Sequence, residues 1–256
     1  MATSELPPAV DPRAAIGPEV RLGTGTTVGP FCCFTGRVTV GANCRFAAAV
    51  ALGGEPMDCK YAGEPTEVRI GDRNVFFEYS TVHRSTGPGT VTSIGDDNMV
   101  MTYVHVAHNC RVGSGCVLSS GAQLGGHATV GDRATIGGLT GIHQFCRVGR
   151  LAMIGACSYV NKDIPPFMLA AGRPSRVRGI NAIGLERAGF APETVQVIRA
   201  AFRLIYRSEL NLSQAINRIN SDLAAGPGAD DVRELVDFLG SSARGIELRT
   251  GPEEVE

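Results

Sequence analysis

Tryptophan is absent from the 256 residues, and aromatic residues make up only 6% of them. With so few rings, most apolar burial is left to aliphatic side chains. No stretch of 18 apolar residues occurs, which excludes a membrane-spanning helix. Met1 to Pro12 lacks the apolar run of a secretion signal, so a soluble, cytoplasmic protein is expected. An excess of either charge is missing too: 24 basic side chains offset 25 acidic ones, for a net −1. With no broad basic field, nucleic acid is not an expected partner. Eight cysteines are present but no Cys-x-x-Cys pair, which argues against structural zinc.

What is plentiful is glycine, at 33 residues, and a strict period of six. Ile94, Val100, Val106, Val112, Leu118, Leu124, Val130, Ile136, Ile142, Val148, Ile154 and Val160 are spaced six apart. The same phase runs earlier through Ile16, Leu22, Val28, Phe34, Val40, Phe46 and Leu52, then Ile70, Phe76 and Val82. Helices repeat every 3.6 residues and strands every 2, so this period belongs to neither alone. It is the mark of a solenoid whose coils each take three hexads, 18 residues, as three short strands and three corners. Glycine suits such corners wherever φ is positive.

Five cysteines, Cys32, Cys44, Cys110, Cys116 and Cys146, fall four places after the aliphatic residue. Ala122, Ala128, Ala134, Thr140, Ala152 and Ser158 share that phase, so the slot takes a small side chain and the thiols read as reduced core filler. Two stretches, residues 53–66 and 84–91, interrupt the hexads without losing the phase and read as loops, which commonly carry function. The pattern is expected to stop at Asp163-Ile164-Pro165-Pro166, because proline cannot continue a ladder. A connecting segment through Asn181 then leads into helices at 192–207, 211–224 and 230–238, and the acidic tail Pro252 to Glu256 is expected to fray. The expected division is 1–180 for the solenoid and 181–256 for a helical domain. Three-fold packing of triangular prisms is the natural closed assembly.

The 18-residue ruler carries His108 onto Gly126 and then onto Gln144, with His127 and His143 beside them. A base beneath a backbone N–H, near further imidazoles, is the minimum kit for acyl transfer. Solvated corner histidines are the plain alternative. A three-imidazole zinc site is a further one, although the spacings lack the close pair it needs.

The motifs taken together resemble the UDP-N-acetylglucosamine O-acyltransferases that begin lipid A synthesis. They are Lys60-Tyr61-Ala62-Gly63-Glu64-Pro65-Thr66, Ile70-Gly71-Asp72-Arg73-Asn74, Val82-His83-Arg84, His105-Val106-Ala107-His108, Gly126-His127 and Ile142-His143-Gln144-Phe145-Cys146, followed by Gly179-Ile180-Asn181, Gly184-Leu185, Arg187 and Leu204-Ile205-Tyr206-Arg207. The resemblance implies a mainly β fold, a left-handed parallel β-helix with a C-terminal α-helical domain, which is an exception to the right-handed crossover rule. It implies a homotrimer with sites between subunits. It also implies transfer of an (R)-3-hydroxyacyl chain from acyl carrier protein to the sugar nucleotide's 3-hydroxyl, with no cofactor or metal. By that resemblance His108 is the general base and the Gly126 N–H holds the oxyanion. Asp58, Lys60, His105, His127, His143 and Gln144 line the sugar and acyl pocket, while Asn181 and Arg187 reach the uridine diphosphate.

Three positions depart from the family pattern. Asn109 stands where an aspartate usually follows the base, Ile183 where a glutamate is expected, and Ala156 where the chain-length residue is often glycine. The histidine–asparagine pair resembles the sister N-acyltransferases, so N-acylation of a 3-amino sugar nucleotide stays open, as does a non-catalytic hexapeptide-repeat binding trimer. Acyl carrier protein is acidic, so Arg173, Arg176 and Arg178 are expected contacts, with ordinary solvated arginines as the alternative.

Overall fold

The computed structural model describes residues 6–246, so the acidic tail expected to fray lies outside the described residues. Short strands stack into three sheets of ten, eight and seven strands, here A, B and C. The chain visits them in rotation: Met99–Val100 in A, His105–Val106 in B, Arg111–Val112 in C, then Val117–Leu118 in A again. Register follows the ruler, with Val100 beside Leu118, Leu118 beside Ile136 and Ile136 beside Ile154, all in parallel. The fold is a left-handed parallel β-helix followed by helices.

The inward aliphatic column fills the prism. All twelve residues from Ile94 to Val160 are buried, each contributing roughly 1.5–3 kcal/mol of apolar burial. The five cysteines of the small slot are buried as well, while Cys33, Cys59 and Cys157 are exposed. The corners work differently from the glycine expectation. The left-handed residue stands three places after the aliphatic one and is usually not glycine: Asn43, Arg73, Asp97, Asn109, His127 and Arg133 all have φ of 55–62°. Hexad glycines are needed instead for close approach. A Cβ on Gly131 would lie 2.6 Å from the Arg150 nitrogen of the next coil.

Both loops leave the prism at one corner, between sheets B and C. The first joins Ala51–Gly54 to Glu67–Ile70, and the second joins Thr81–His83 to Val91–Ile94. They brace each other: the Glu64 carboxylate accepts N–H bonds from Ala62 (2.8 Å) and Gly87 (2.7 Å), and Gly89 N–H donates to the Pro65 carbonyl (3.1 Å).

The wall does not stop at the prolines. Ile164 bridges Val148, and Leu169 pairs with Met153 in sheet A, so the last coil is shortened rather than abandoned. The missing N–H groups of Pro165 and Pro166 fall in the corner, where the ladder has no use for them. The expected connecting segment is therefore an antiparallel hairpin, Met168–Ala171 with Arg176–Ile180. Among the described residues four helices follow: α1 (Ala182–Arg187), which the sequence reading lacked, α2 (Pro192–Tyr206), α3 (Leu212–Asp222) and α4 (Ala229–Gly240). Helix α4 folds back onto the last coils, where the Arg147 guanidinium sits 4.1 Å over the Phe238 ring and Arg150 pairs with Asp231 and Glu234. No described helix is long and apolar enough to cross a membrane.

Candidate active site

The corner that extrudes both loops also carries the histidine strip. His108 lies two places after Val106, its side chain 12% exposed. Its Nδ1 faces the Asn109 Oδ1 at 2.9 Å. That amide is oriented by the second loop: Oδ1 also accepts from the Thr86 N–H (2.9 Å), and Nδ2 donates to the Thr86 carbonyl (3.0 Å). With the oxygen so placed, Nδ1 carries the proton and Nε2 is left as a bare acceptor. Nε2 points at Gly126, where an added Cβ would lie 2.5 Å from Nε2 and from Cε1. Only glycine leaves room for the imidazole there. The Gly126 N–H donates to no acceptor among the described residues.

The first loop brings a carboxylate to the same imidazole. Asp58 Oδ2 lies 3.9 Å from His108 Nδ1. The Lys60 backbone N–H holds the Asp58 carboxyl below the ordinary carboxylate range against partial burial, and His108 adds to that effect. Lys60 itself is exposed. A carboxylate thus stands near the imidazole from a loop 50 residues earlier in the chain.

Around this centre the other imidazoles pack in series. His127 meets His108 edge-on at 5.3 Å and stacks on Phe145 at 4.5 Å. Burial first, and His108 second, push its pKa down. On the outward face of sheet B, His105 Nδ1 pairs with Thr81 Oγ1 (2.8 Å), while its buried Nε2 has no partner among the described residues. Burial pushes the His105 pKa down to about 4, which keeps the ring neutral. His143 Nδ1–H donates to the Gln144 carbonyl at 3.0 Å. Among the described residues, no group of three or more His, Cys, Asp or Glu side chains is placed to hold a metal ion.

Two cavities flank the corner. One, of about 430 Å³ on the sheet B side, contains His108, Gly126, His105 and Gln144 together with Met57 and Tyr159. The other, of about 560 Å³ on the sheet C side, is lined by Arg69, Arg111, Asn109 and His127. A further cleft of about 620 Å³ between sheet C and α4 holds no histidine.

Comparison with known proteins decides the family. Residues 163–247 match the model of UDP N-acetylglucosamine O-acyltransferase domain 2, and residues 92–126 match the bacterial transferase hexapeptide repeats. An acyl-[acyl-carrier-protein]–UDP-N-acetylglucosamine O-acyltransferase of Burkholderia mallei is 45% identical over 79% of this chain and 78% of its own length. That of Paraburkholderia phymatum is 43% identical over 79% and 78%. The crystal structure of Francisella novicida UDP-N-acetylglucosamine acyltransferase superposes with a TM-score of 0.83, at 33% identity over 95% of each chain. The chain belongs to the UDP-N-acetylglucosamine O-acyltransferase family.

In this acyltransferase a single chain gathers some of the expected site residues and leaves others apart. Asp58, His105, His108, Gly126, His127, His143 and Gln144 share the B–C corner or the adjoining face of sheet B. Asn181 does not. It caps α1 by accepting from the Gly184 N–H (3.1 Å), and its Nδ2 donates to the Leu151 carbonyl (2.8 Å) at the corner between sheets C and A. Arg187 ends α1 and is exposed, as is Ile183. Ala156 sits exposed in an A–B turn, outside the 430 Å³ cavity. Arg173 Nε donates to the Cys157 carbonyl (2.6 Å), and Arg176 and Arg178 lie on the second strand of the hairpin. Sequence reasoning missed Met57, Thr86 and Tyr159. The ruler does reach Tyr159, three coils beyond His105.

Proposed function

We propose that this enzyme transfers an (R)-3-hydroxyacyl chain from the thioester of acyl carrier protein to the 3-hydroxyl of UDP-N-acetylglucosamine, the first step of lipid A biosynthesis, in the cytoplasm. His108 Nε2 takes the proton of the sugar hydroxyl as its oxygen attacks the thioester carbonyl. The Gly126 N–H donates to the tetrahedral oxyanion, and collapse expels the carrier thiolate, which recovers the proton from the imidazolium. Asp58 stabilises that imidazolium, and Asn109 fixes its tautomer. One observation carries the reading: the imidazole is wedged with its free nitrogen beside Gly126, whose N–H has no partner among the described residues. Replacing His108 with Ala should lower kcat by about 10²–10⁴ while ligands still bind. Unchanged turnover in His108→Ala would sink the mechanism.

The active unit in this reading is a homotrimer. Asn181 and Arg187 belong to the C–A corner, while His108 belongs to the B–C corner. If sheet A of one prism faces sheet B of the next around a three-fold axis, those two corners meet at the rim of each interface. The corner left at the axis is A–B, and it is the apolar one: Phe31, Tyr79, Tyr103 and Leu139 are 54–68% exposed there, with Tyr79 stacked on Tyr103 at 5.1 Å. Exposed apolar ridges of that kind mark association. The C–A corner instead carries Asn43, Arg73, Asp97 and Arg133.

The Asn109 amide, which kept N-acylation open, has a separate reason to be present: an amide, unlike an ionised carboxylate, can both accept from and donate to the Thr86 backbone.

A further inference from the structure

The groove that starts at His108 runs along sheet B to a large side chain, Tyr159, on the last coil of its lining. The outward positions of sheet B stack in register as His105, Gln123, Gly141 and Tyr159. Three strand spacings separate the first from the last, about 14 Å. Gly141 leaves a bare notch in that column, and the Tyr159 ring leans over it: Cδ2 lies 3.7 Å from where a Gly141 Cβ would sit. On its other flank the ring approaches His143 at 6.4 Å. Tyr159 is 42% exposed, a large ring held at the surface of the groove rather than in the core.

Its backbone is held on both sides. The Tyr159 N–H donates to the Gly172 carbonyl (2.9 Å), and its carbonyl accepts from the Ser175 N–H (2.7 Å). The turn of the hairpin therefore holds the Tyr159 backbone through both of its polar groups, which fixes where the ring leaves the wall.

We infer that Tyr159 sets the acyl-chain length this enzyme accepts, with Gly141 as the notch that lets the chain pass up to the ring. The inference rests on the acyl-transfer reading above. A thioester carbonyl held at the Gly126 N–H directs its hydrocarbon tail into the cavity that ends at Tyr159. Ala156, the position the family pattern associates with chain length, does not line that cavity. Each methylene that gains a buried position is worth about fourfold in binding, so opening the end by two carbons is worth roughly fifteenfold.

The test is a competition among hydroxyacyl carrier-protein thioesters of graded length, with products resolved by mass spectrometry. In Tyr159→Ala, the long-to-short ratio of kcat/KM should rise about tenfold or more. Tyr159→Phe, which keeps the ring, should retain the parent profile. Gly141→Ala acts from the opposite side and should move the preference toward shorter donors. Its backbone is not left-handed and its nearest new contact is at 3.7 Å, so it reports even if Tyr159→Ala fails to fold. Transfer by either variant with an unshifted length profile overturns the inference. If the parent protein transfers no acyl chain of any length, the acyl-transfer reading itself falls, and the length stop falls with it.

Discussion

Asn109 does at its corner what a carboxylate cannot. It sits in the left-handed conformation, φ 59°, and its amide bonds the Thr86 backbone in both directions while presenting oxygen to His108. None of this was legible in the sequence, because Thr86 is a loop residue with no periodic relation to position 109. Asn109→Asp should keep the bond to His108 but set an oxygen against the Thr86 carbonyl. The expected cost is about 1–3 kcal/mol, a few degrees in Tm by thermal melting. His105 gives a second prediction at this scale. Its folded pKa of about 4 lies below the ordinary histidine value of about 6.5, so the unfolded chain binds more protons between the two. The stability this contributes is complete above about pH 6.5 and is lost as pH falls toward 4. Denaturant unfolding at neutral and acid pH should show that loss, and His105→Gln should flatten it. An equal slope in both proteins would remove His105 as the cause.

At the scale of elements, the hexads were legible because burial repeats with the chain geometry: every third strand lands on the same face, and the aliphatic column must point inward. The same periodicity puts His108, Gly126 and Gln144 on one edge. It failed at Asp163-Ile164-Pro165-Pro166, where proline reads as a ladder breaker although both rings fall in a corner, so the hairpin behind them was lost. The loops were legible as gaps in the pattern, but not their mutual brace. Glu64 ties them through two backbone N–H groups, so Glu64→Ala should speed limited proteolysis within 55–66 and 84–90 and raise KM for the sugar nucleotide. Cleavage rates like those of the parent would show that the staple is dispensable.

Across the whole molecule, the three corners of the prism have separate chemistries. The B–C corner carries the histidines and both loops, the C–A corner carries polar residues and the cap of α1, and the A–B corner carries the exposed apolar ridge. In the trimer proposed above, that division sets Arg187 of one chain beside His108 of the next. The central claim, that His108 of one protomer works with Arg187 of its neighbour, is tested by mixing two disabled proteins. His108→Ala and Arg187→Ala trimers, each slow alone, are unfolded together and refolded at equal amounts. Random assembly should restore about a quarter of the sites, and with them about a quarter of parental kcat. Mixed trimers that remain as slow as the separate variants would contradict the account.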